Sequence, residues 1–195
     1  LEGLDWLKGK MTAKDVGVFS FSGHGARDPR TGTFYLVPVD VTDDFAKTCV
    51  SGDEFKSRLE NMPGRLVAVL DACHSGAASG TPEPKGGRPQ KPKPAAGRAD
   101  NLVRDLVTDD YGVVVMCSSL GMEYSLESPA TKAGFFTLGL VEGLSGKADF
   151  NKDGVVYMHE LDTYATLRVA QLSSGRQNPT TGRPPTIRSF PISKP

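Results

Sequence analysis

A cysteine and a histidine, which together can attack a carbonyl carbon, each follow an apolar stretch of this sequence. Cys73 ends the run LVAVLDAC at residues 66–73, and His24 follows the run VGVFSFSG at residues 16–23 and precedes a further glycine. Such runs are typical of buried strands, and parallel strands bring their carboxyl ends to one edge of a sheet. The chain between them has room for a loop, a crossover helix and the next parallel strand. The sequence therefore predicts a Cys/His catalytic pair at that edge.

Within this pair, Cys73 is the predicted nucleophile and His24 the general acid and base. A nearby imidazolium lowers the pKa of a thiol, and a thiolate is a strong nucleophile. The glycines beside His24 let a substrate backbone come close, and they leave the Gly25 N–H to join the Cys73 N–H as an oxyanion hole. The alternative is a buried structural cysteine with a polar loop histidine, but the glycines and the spacing favour catalysis.

Asp71 is the predicted substrate-binding residue. Residues two apart on a strand face the same side, so Asp71 is expected beside Cys73, where the substrate residue before the scissile bond would sit. A carboxylate there favours a Lys or Arg side chain in the substrate. Glu123 and Glu127, in the predicted loop after the third strand, would add to an acidic pocket. The alternative for Asp71 is a structural carboxylate that accepts N–H bonds from a loop.

Residues 149–160 match the pattern of an EF-hand calcium loop. Asp149, Asn151 and Asp153 occupy the first, third and fifth positions, with Gly154 at the sixth and Glu160 at the twelfth. These residues predict a calcium site, although Cys/His chemistry itself requires no cofactor. The alternative is an acidic turn that caps the next helix through Asx-type bonds. The sequence shows no second EF-hand to pair with this one.

The remaining cysteines and histidines are assigned no chemistry. Cys117 lies inside an apolar strand and is a predicted core residue, whereas Cys49 lies in a polar loop. The His74 side chain is expected to point away from the Cys73 thiol, because neighbouring residues on a strand face opposite sides. His159 is expected to be solvated at the start of a helix. An odd and sparse set of three cysteines fits a reducing compartment, the cytoplasm, better than a disulfide framework.

Length and composition indicate one soluble domain. The chain has 195 residues, of which 38% are hydrophobic, and its 23 basic and 23 acidic residues give no net charge. A protein without net charge creates no overall electrostatic field that would attract nucleic acid or an acidic membrane, so neither is the expected partner. We see no apolar run of membrane-spanning length and no signal peptide.

The order of predicted elements is that of an α/β protein. A strand at 16–21, a helix that begins at the Ser51–Glu54 capping box and a strand at 66–73 predict parallel neighbours with a right-handed crossover. Residues 79–99 have no apolar period and predict an exposed, disordered basic loop. Further expected elements are a helix near 100–107, a strand at 112–118, and helices at 135–144 and 158–172.

The segments around His24 and Cys73 resemble the caspase-like cysteine peptidases. Residues 22–25 (SGHG) and 71–76 (DACHSG) are most similar to the metacaspase and bacterial caspase-homologue branch, as are 36–40 (LVPVD) and 134–137 (GFFT). The resemblance implies an α/β three-layer sandwich with a mostly parallel central sheet flanked by helices, and an acyl-enzyme endopeptidase. Asp71 replaces the glutamine of animal caspases, which implies a basic residue before the scissile bond.

The resemblance also implies a division of the chain. Residues 1–78 would be a large-subunit-like part, 79–100 the linker that is often cleaved on activation, and 101–195 a small-subunit-like part of one catalytic domain. A basic linker and a preference for basic residues predict self-processing of a zymogen. The family's first strand–helix–strand unit is not seen, so an upstream segment or a second chain is expected to cover an otherwise exposed sheet edge. The acidic residues with which many metacaspases bind calcium are only weakly represented, by Asp40, Asp43 and Asp44.

Two alternatives belong to other functional classes. The chain could be a catalytically silent caspase-like domain that serves regulation or interaction, or a calcium-binding module built on residues 149–160. Peptides with basic residues are the partners expected of the peptidase.

Overall fold

The structure, a computed structural model, describes residues 1–28, 31–42, 44–74, 112–119, 126–128 and 133–195. The predicted linker at 79–100, the predicted helix near 100–107, Asp43 and Glu123 lie outside these residues. The helices are α1 (Glu2–Lys10), α2 (Phe45–Thr48), α3 (Gly52–Leu59), α4 (Phe135–Glu142), continued by a π-helical turn at Gly143–Lys147, and α5 (Met158–Ser173). The strands are β1 (Val16–Arg27), β2 (Phe34–Val37), β3 (Val50–Ser51), β4 (Arg65–His74), β5 (Val113–Cys117), β6 (Glu127–Ser128), β7 (Ala133–Gly134), β8 (Val156–Tyr157), β9 (Thr180–Gly182) and β10 (Pro191–Ser193).

Six strands form the central sheet in the order β3-β2-β1-β4-β5-β9. The neighbours β1, β4 and β5 are parallel. For β1 and β4 this confirms the prediction made from the crossover helix between them. The other pairings, β3 with β2, β2 with β1, and β5 with β9, are antiparallel. The predicted α/β sandwich is confirmed, with the parallel arrangement at its centre and a sheet that is mixed as a whole.

Helices cover both faces of this sheet. Successive residues of a strand face opposite sides, so Leu66 and Ala68 of β4 join one core and Val67 joins the other. The first core contains Leu4 of α1 and Phe55 and Leu59 of α3. The second core packs α4 and α5 against the sheet, with Phe136, Leu140, Leu161, Ala165 and Val169 buried. Cys117 lies in the first core at 2% exposure, which confirms its predicted place.

Strand β1 is longer than the sequence predicted. Its residues 16–25 pair with β4, and residues 24–27 pair in addition with β2, from His24 opposite Val37 to Arg27 opposite Phe34. Strand β4 likewise continues through Cys73 to His74. The prediction that the first strand ends before His24 was wrong, because pairing with β4 continues through Gly23 to Gly25 and pairing with β2 begins at His24, which holds this segment extended despite the low strand propensity of glycine.

One edge of β1 carries no strand in the described part of the chain. Residues 16–23 pair with β4 on one side only, and Val18 is 54% exposed. That this is the edge left by the family's missing first strand–helix–strand unit, to be covered by an upstream segment or a second chain, stays a prediction.

Helix ends follow the local signals closely. The predicted capping box opens α3, because Ser51 Oγ accepts the Glu54 N–H at 3.2 Å and Glu54 Oε2 accepts the Ser51 N–H at 2.9 Å. Helix α5 ends at Ser173, one residue beyond the prediction. Among the residues described, no helix combines the length and the apolar character that crossing a bilayer requires.

Candidate active site

His24 and Cys73 are direct neighbours across the central sheet. They are register partners on the parallel strands β1 and β4, and such strands lie about 4.8 Å apart. His24 also pairs with Val37 of β2, so it is held in β1 from both sides. Its side chain is exposed. Two residues far apart in the sequence are thus brought together at the carboxyl end of the parallel strands, where α/β proteins bind ligands.

Asp71 lies on β4 two residues before Cys73 and is 8% exposed. Its Oδ2 accepts a hydrogen bond from the hydroxyl of Thr137 at 2.9 Å. Thr137 belongs to the first turn of α4, whose N-cap is Gly134. The N-cap makes no side-chain capping bond, so the Asp71 carboxylate brings negative charge to a helix start where it is favourable.

Comparison with known proteins identifies the family. A family model described as the caspase domain, of the peptidase C14 group, matches residues 1–190. The chain belongs to the caspase domain family. No curated protein matches its sequence.

A solved structure is similar in fold to this caspase domain. Protein GSU0716 from Geobacter sulfurreducens matches with a TM-score of 0.56 and 14% sequence identity. The match covers 100% of this chain and 73% of that one. At this identity the likeness concerns the fold alone.

The other predicted active-site residues of the caspase domain fall into two groups. Gly25 is buried and is in register with Leu36 on one side and His74 on the other, so its role in an oxyanion hole stays a prediction. Glu123 lies outside the described residues, and Glu127 is described only as part of the short strand β6. A second acidic group beside Asp71 therefore also stays a prediction.

The predicted calcium loop forms a network of local hydrogen bonds. Asp149 Oδ2 accepts the Gly154 N–H at 2.9 Å, Asn151 Oδ1 accepts the Asp153 N–H at 2.9 Å, and Asp153 Oδ1 accepts the Val155 N–H at 2.9 Å. The bonds of Asn151 and Asp153 are Asx-type bonds that reach two residues along the chain, whereas the Asp149 bond spans five residues of the turn.

Glu160, the twelfth residue of that loop, is 4% exposed and accepts the Tyr157 N–H through Oε2 at 2.9 Å. It therefore caps the start of α5. Across the described ranges no three His, Cys, Asp or Glu side chains converge as metal ligands. Calcium binding by the caspase domain stays a prediction.

Thr137 and Gly134 are the residues that the sequence did not assign to the site. From the sequence, residues 134–137 were singled out only because they resemble the caspase-like family. The bond from Thr137 to Asp71 joins positions 66 residues apart, so no local spacing could have indicated it. A hydroxyl in the first turn of a helix that lacks a side-chain N-cap was the one signal present.

Proposed function

We propose that this caspase domain is a cysteine endopeptidase that cleaves after arginine or lysine. The observation that supports it best is the register of His24 with Cys73 on adjacent parallel strands. Membership in the caspase domain family supports the same reaction class.

In the proposed reaction, the Cys73 thiolate attacks the carbonyl carbon of the scissile peptide. The C–N bond then breaks as the His24 imidazolium donates its proton to the leaving nitrogen, and a thioester with Cys73 remains. His24 next takes a proton from water, and the resulting hydroxide cleaves the thioester, which releases the carboxylic acid product and restores the Cys73 thiolate beside the His24 imidazolium. The backbone N–H of Cys73 would stabilise the negative charge on the carbonyl oxygen.

Asp71 is the proposed determinant of the basic preference. It is a buried carboxylate close along the strand to Cys73, and no ion pair with a described basic side chain neutralises it. A guanidinium or ammonium group of the substrate would supply that missing positive charge.

The test is cleavage of a fluorogenic arginine peptide by the wild type, Cys73→Ala and His24→Ala. We expect each substitution to reduce kcat/KM by about 1,000-fold or more, because neither partner is effective alone. Cys49→Ala is the matched control, since Cys49 is a buried cysteine outside the site. Its activity should stay close to that of the wild type.

Two results would count against the peptidase. Equal cleavage by the wild type and Cys73→Ala would exclude the mechanism. If the wild type cleaves nothing and a thiol-reactive arginine probe does not label Cys73, the silent regulatory domain becomes the better description.

A further inference from the structure

Two residues that follow the predicted linker in the sequence lie next to the Asp71 carboxylate. The Thr137 hydroxyl donates to its Oδ2 at 2.9 Å, and a Cβ added at Gly134 would lie 2.7 Å from the same oxygen. We propose that Thr137 and Gly134 position the Asp71 carboxylate to receive a basic side chain, an inference that rests on the proposed substrate preference. Thr137 is in this sense a positioning residue for substrate specificity.

The chemistry of the Thr137 bond supports this role. A buried carboxylate needs hydrogen-bond donors, and a counter-ion is the usual partner. Within the described residues, Asp71 has the neutral Thr137 hydroxyl as its hydrogen-bond donor and forms no ion pair. The hydroxyl fixes Oδ2 without cancelling the charge. Oδ1 has no hydrogen-bond partner in the same set of residues, so a bound cation can satisfy it.

Gly134 matters for the space that it leaves beside Asp71, and not for its conformational freedom. Its φ of −60° is accessible to any residue, so the backbone does not require glycine. A Cβ at this position would lie 2.7 Å from Asp71 Oδ2, closer than non-bonded atoms tolerate. The carboxylate or the Gly134 backbone would have to shift to make room. The absence of a side chain at Gly134 therefore leaves space for the carboxylate where it accepts the Thr137 hydroxyl.

The experiment measures binding of an arginine peptide amide and its citrulline twin, which has the same shape without the charge. Calorimetry on Cys73→Ala protein removes any dependence on turnover. We expect Thr137→Val in this background to weaken arginine binding about tenfold or more, the effect of losing a hydrogen bond to a charged group. Thr137→Ser, which keeps the hydroxyl, should bind within about twofold of the parent.

Gly134→Ala provides an independent test, because it displaces the same carboxylate without removing the hydroxyl. It should also weaken arginine binding and leave the citrulline peptide nearly unaffected. Thr163→Val is the matched control, since among the described residues the Thr163 hydroxyl donates to the His159 carbonyl on α5, away from Asp71. A general loss of stability would weaken both peptides equally, so equal losses would overturn the positioning role.

Kinetics separate this inference from the proposed function. In the active protein, Thr137→Val should raise KM for an arginine substrate about tenfold while kcat changes much less. If the wild type cleaves and Thr137→Val binds and cleaves arginine peptides equally well, the positioning role fails and the peptidase stands. If nothing is cleaved but Thr137→Val still loses arginine binding, the peptidase fails and the positioning role stands. Failure of the parent to bind the arginine peptide would overturn the inference directly.

Discussion

Glu142 joins α4 to α5 through a compact set of charged hydrogen bonds. Its carboxylate accepts from Arg168 Nε at 2.9 Å and Nη2 at 3.0 Å, and from the Tyr164 hydroxyl at 2.7 Å. Lys147 lies at 3.2 Å from the same carboxylate. The hydrogen bonds from Arg168 and then from Tyr164 lower the pKa of Glu142 from 4.5 to about 2. A bidentate pair of this kind holds the two helices in one relative orientation.

This pKa shift predicts a pH-dependent contribution to stability. Because the folded state lowers the pKa of Glu142 to about 2, its stabilisation is present above about pH 4.5 and is lost as the pH falls towards 2. Glu142→Gln should lower the free energy of unfolding by about 1–2 kcal/mol at pH 7, since the side chain is only partly screened by solvent. Urea unfolding at pH 7 and pH 3.5 measures this, and the difference should shrink at the lower pH.

The control for that measurement is Asp162→Asn on the same helix pair. The Asp162 side chain forms no hydrogen bond or ion pair with any residue that the structure describes, so its substitution should change stability little at either pH. A Glu142→Gln effect that is the same at pH 7 and pH 3.5 would contradict the assignment of the stabilisation to the ionised carboxylate.

Asp71 is the other residue whose charge carries a prediction. Asp71→Asn keeps the size of the side chain and an oxygen that can accept from Thr137, so it removes the charge with little change in packing. We expect kcat/KM for an arginine substrate to fall about 10- to 100-fold, and that for a citrulline substrate to change less than about threefold. Fluorogenic pairs of these substrates measure the ratio. An unchanged ratio would assign the basic preference to other residues.

At the scale of elements, the turn between the π-helical segment and α5 is ordered by its own hydrogen bonds, and calcium binding there stays a prediction. Lys152 and Gly154 take left-handed conformations with φ of 60° and 80°, and they direct backbone N–H groups onto Asp149 and Asn151. Calcium needs six to eight oxygen ligands, and carboxylates already held by N–H bonds pay little further ordering entropy on binding.

Calorimetry with calcium tests this loop. We expect the wild type to bind calcium and Asp153→Ala to bind it at least about tenfold more weakly, because a charged ligand is lost. The control is again Asp162→Asn, an acidic residue on α5 outside the loop. If the wild type gives no calcium-dependent heat, residues 149–160 act only as an Asx turn that caps α5.

Local signals predicted the elements better than the contacts between them. The Ser51–Glu54 capping box and the apolar period of α5 lie within a few residues of sequence, and both elements formed where they were expected. The extension of β1 to Arg27 depends on β2, and the environment of Asp71 depends on Thr137. Both features depend on pairing and packing between residues far apart in the sequence, so no local sequence pattern could have predicted them.

At the scale of the whole molecule, the parts before and after the linker form one structure. Strand β4 precedes the linker, β5 follows it, and the two pair in parallel from Leu66 opposite Val113 to Leu70 opposite Cys117. Both cores combine residues from the two parts, as where Val67 packs with Met116 and Leu161. Burial of this apolar surface does not depend on the covalent connection through residues 79–100.

This architecture shapes the expected outcome of self-processing. We propose that the active enzyme cuts the linker between residues 78 and 101 at one or more of its basic residues, Lys85, Arg88, Lys91, Lys93 and Arg98. Mass spectrometry under denaturing conditions should find two large fragments in the wild type, with short linker peptides where more than one site is cut, and one intact chain in Cys73→Ala. On size exclusion under native conditions, both proteins should elute at the same volume, because β4 and β5 keep the fragments paired.

A variant with all five linker residues changed to Gln is the matched control for the cleavage site. It should remain intact while Cys73 and His24 are unchanged, and addition of a small amount of wild-type enzyme should not cut it. An uncut linker in wild-type protein that cleaves the arginine substrate would contradict self-processing, and fragments that separate on the native column would contradict the shared sheet. The two results are independent, because cleavage tests the specificity of the site and co-elution tests the β4–β5 pairing on which the site is built.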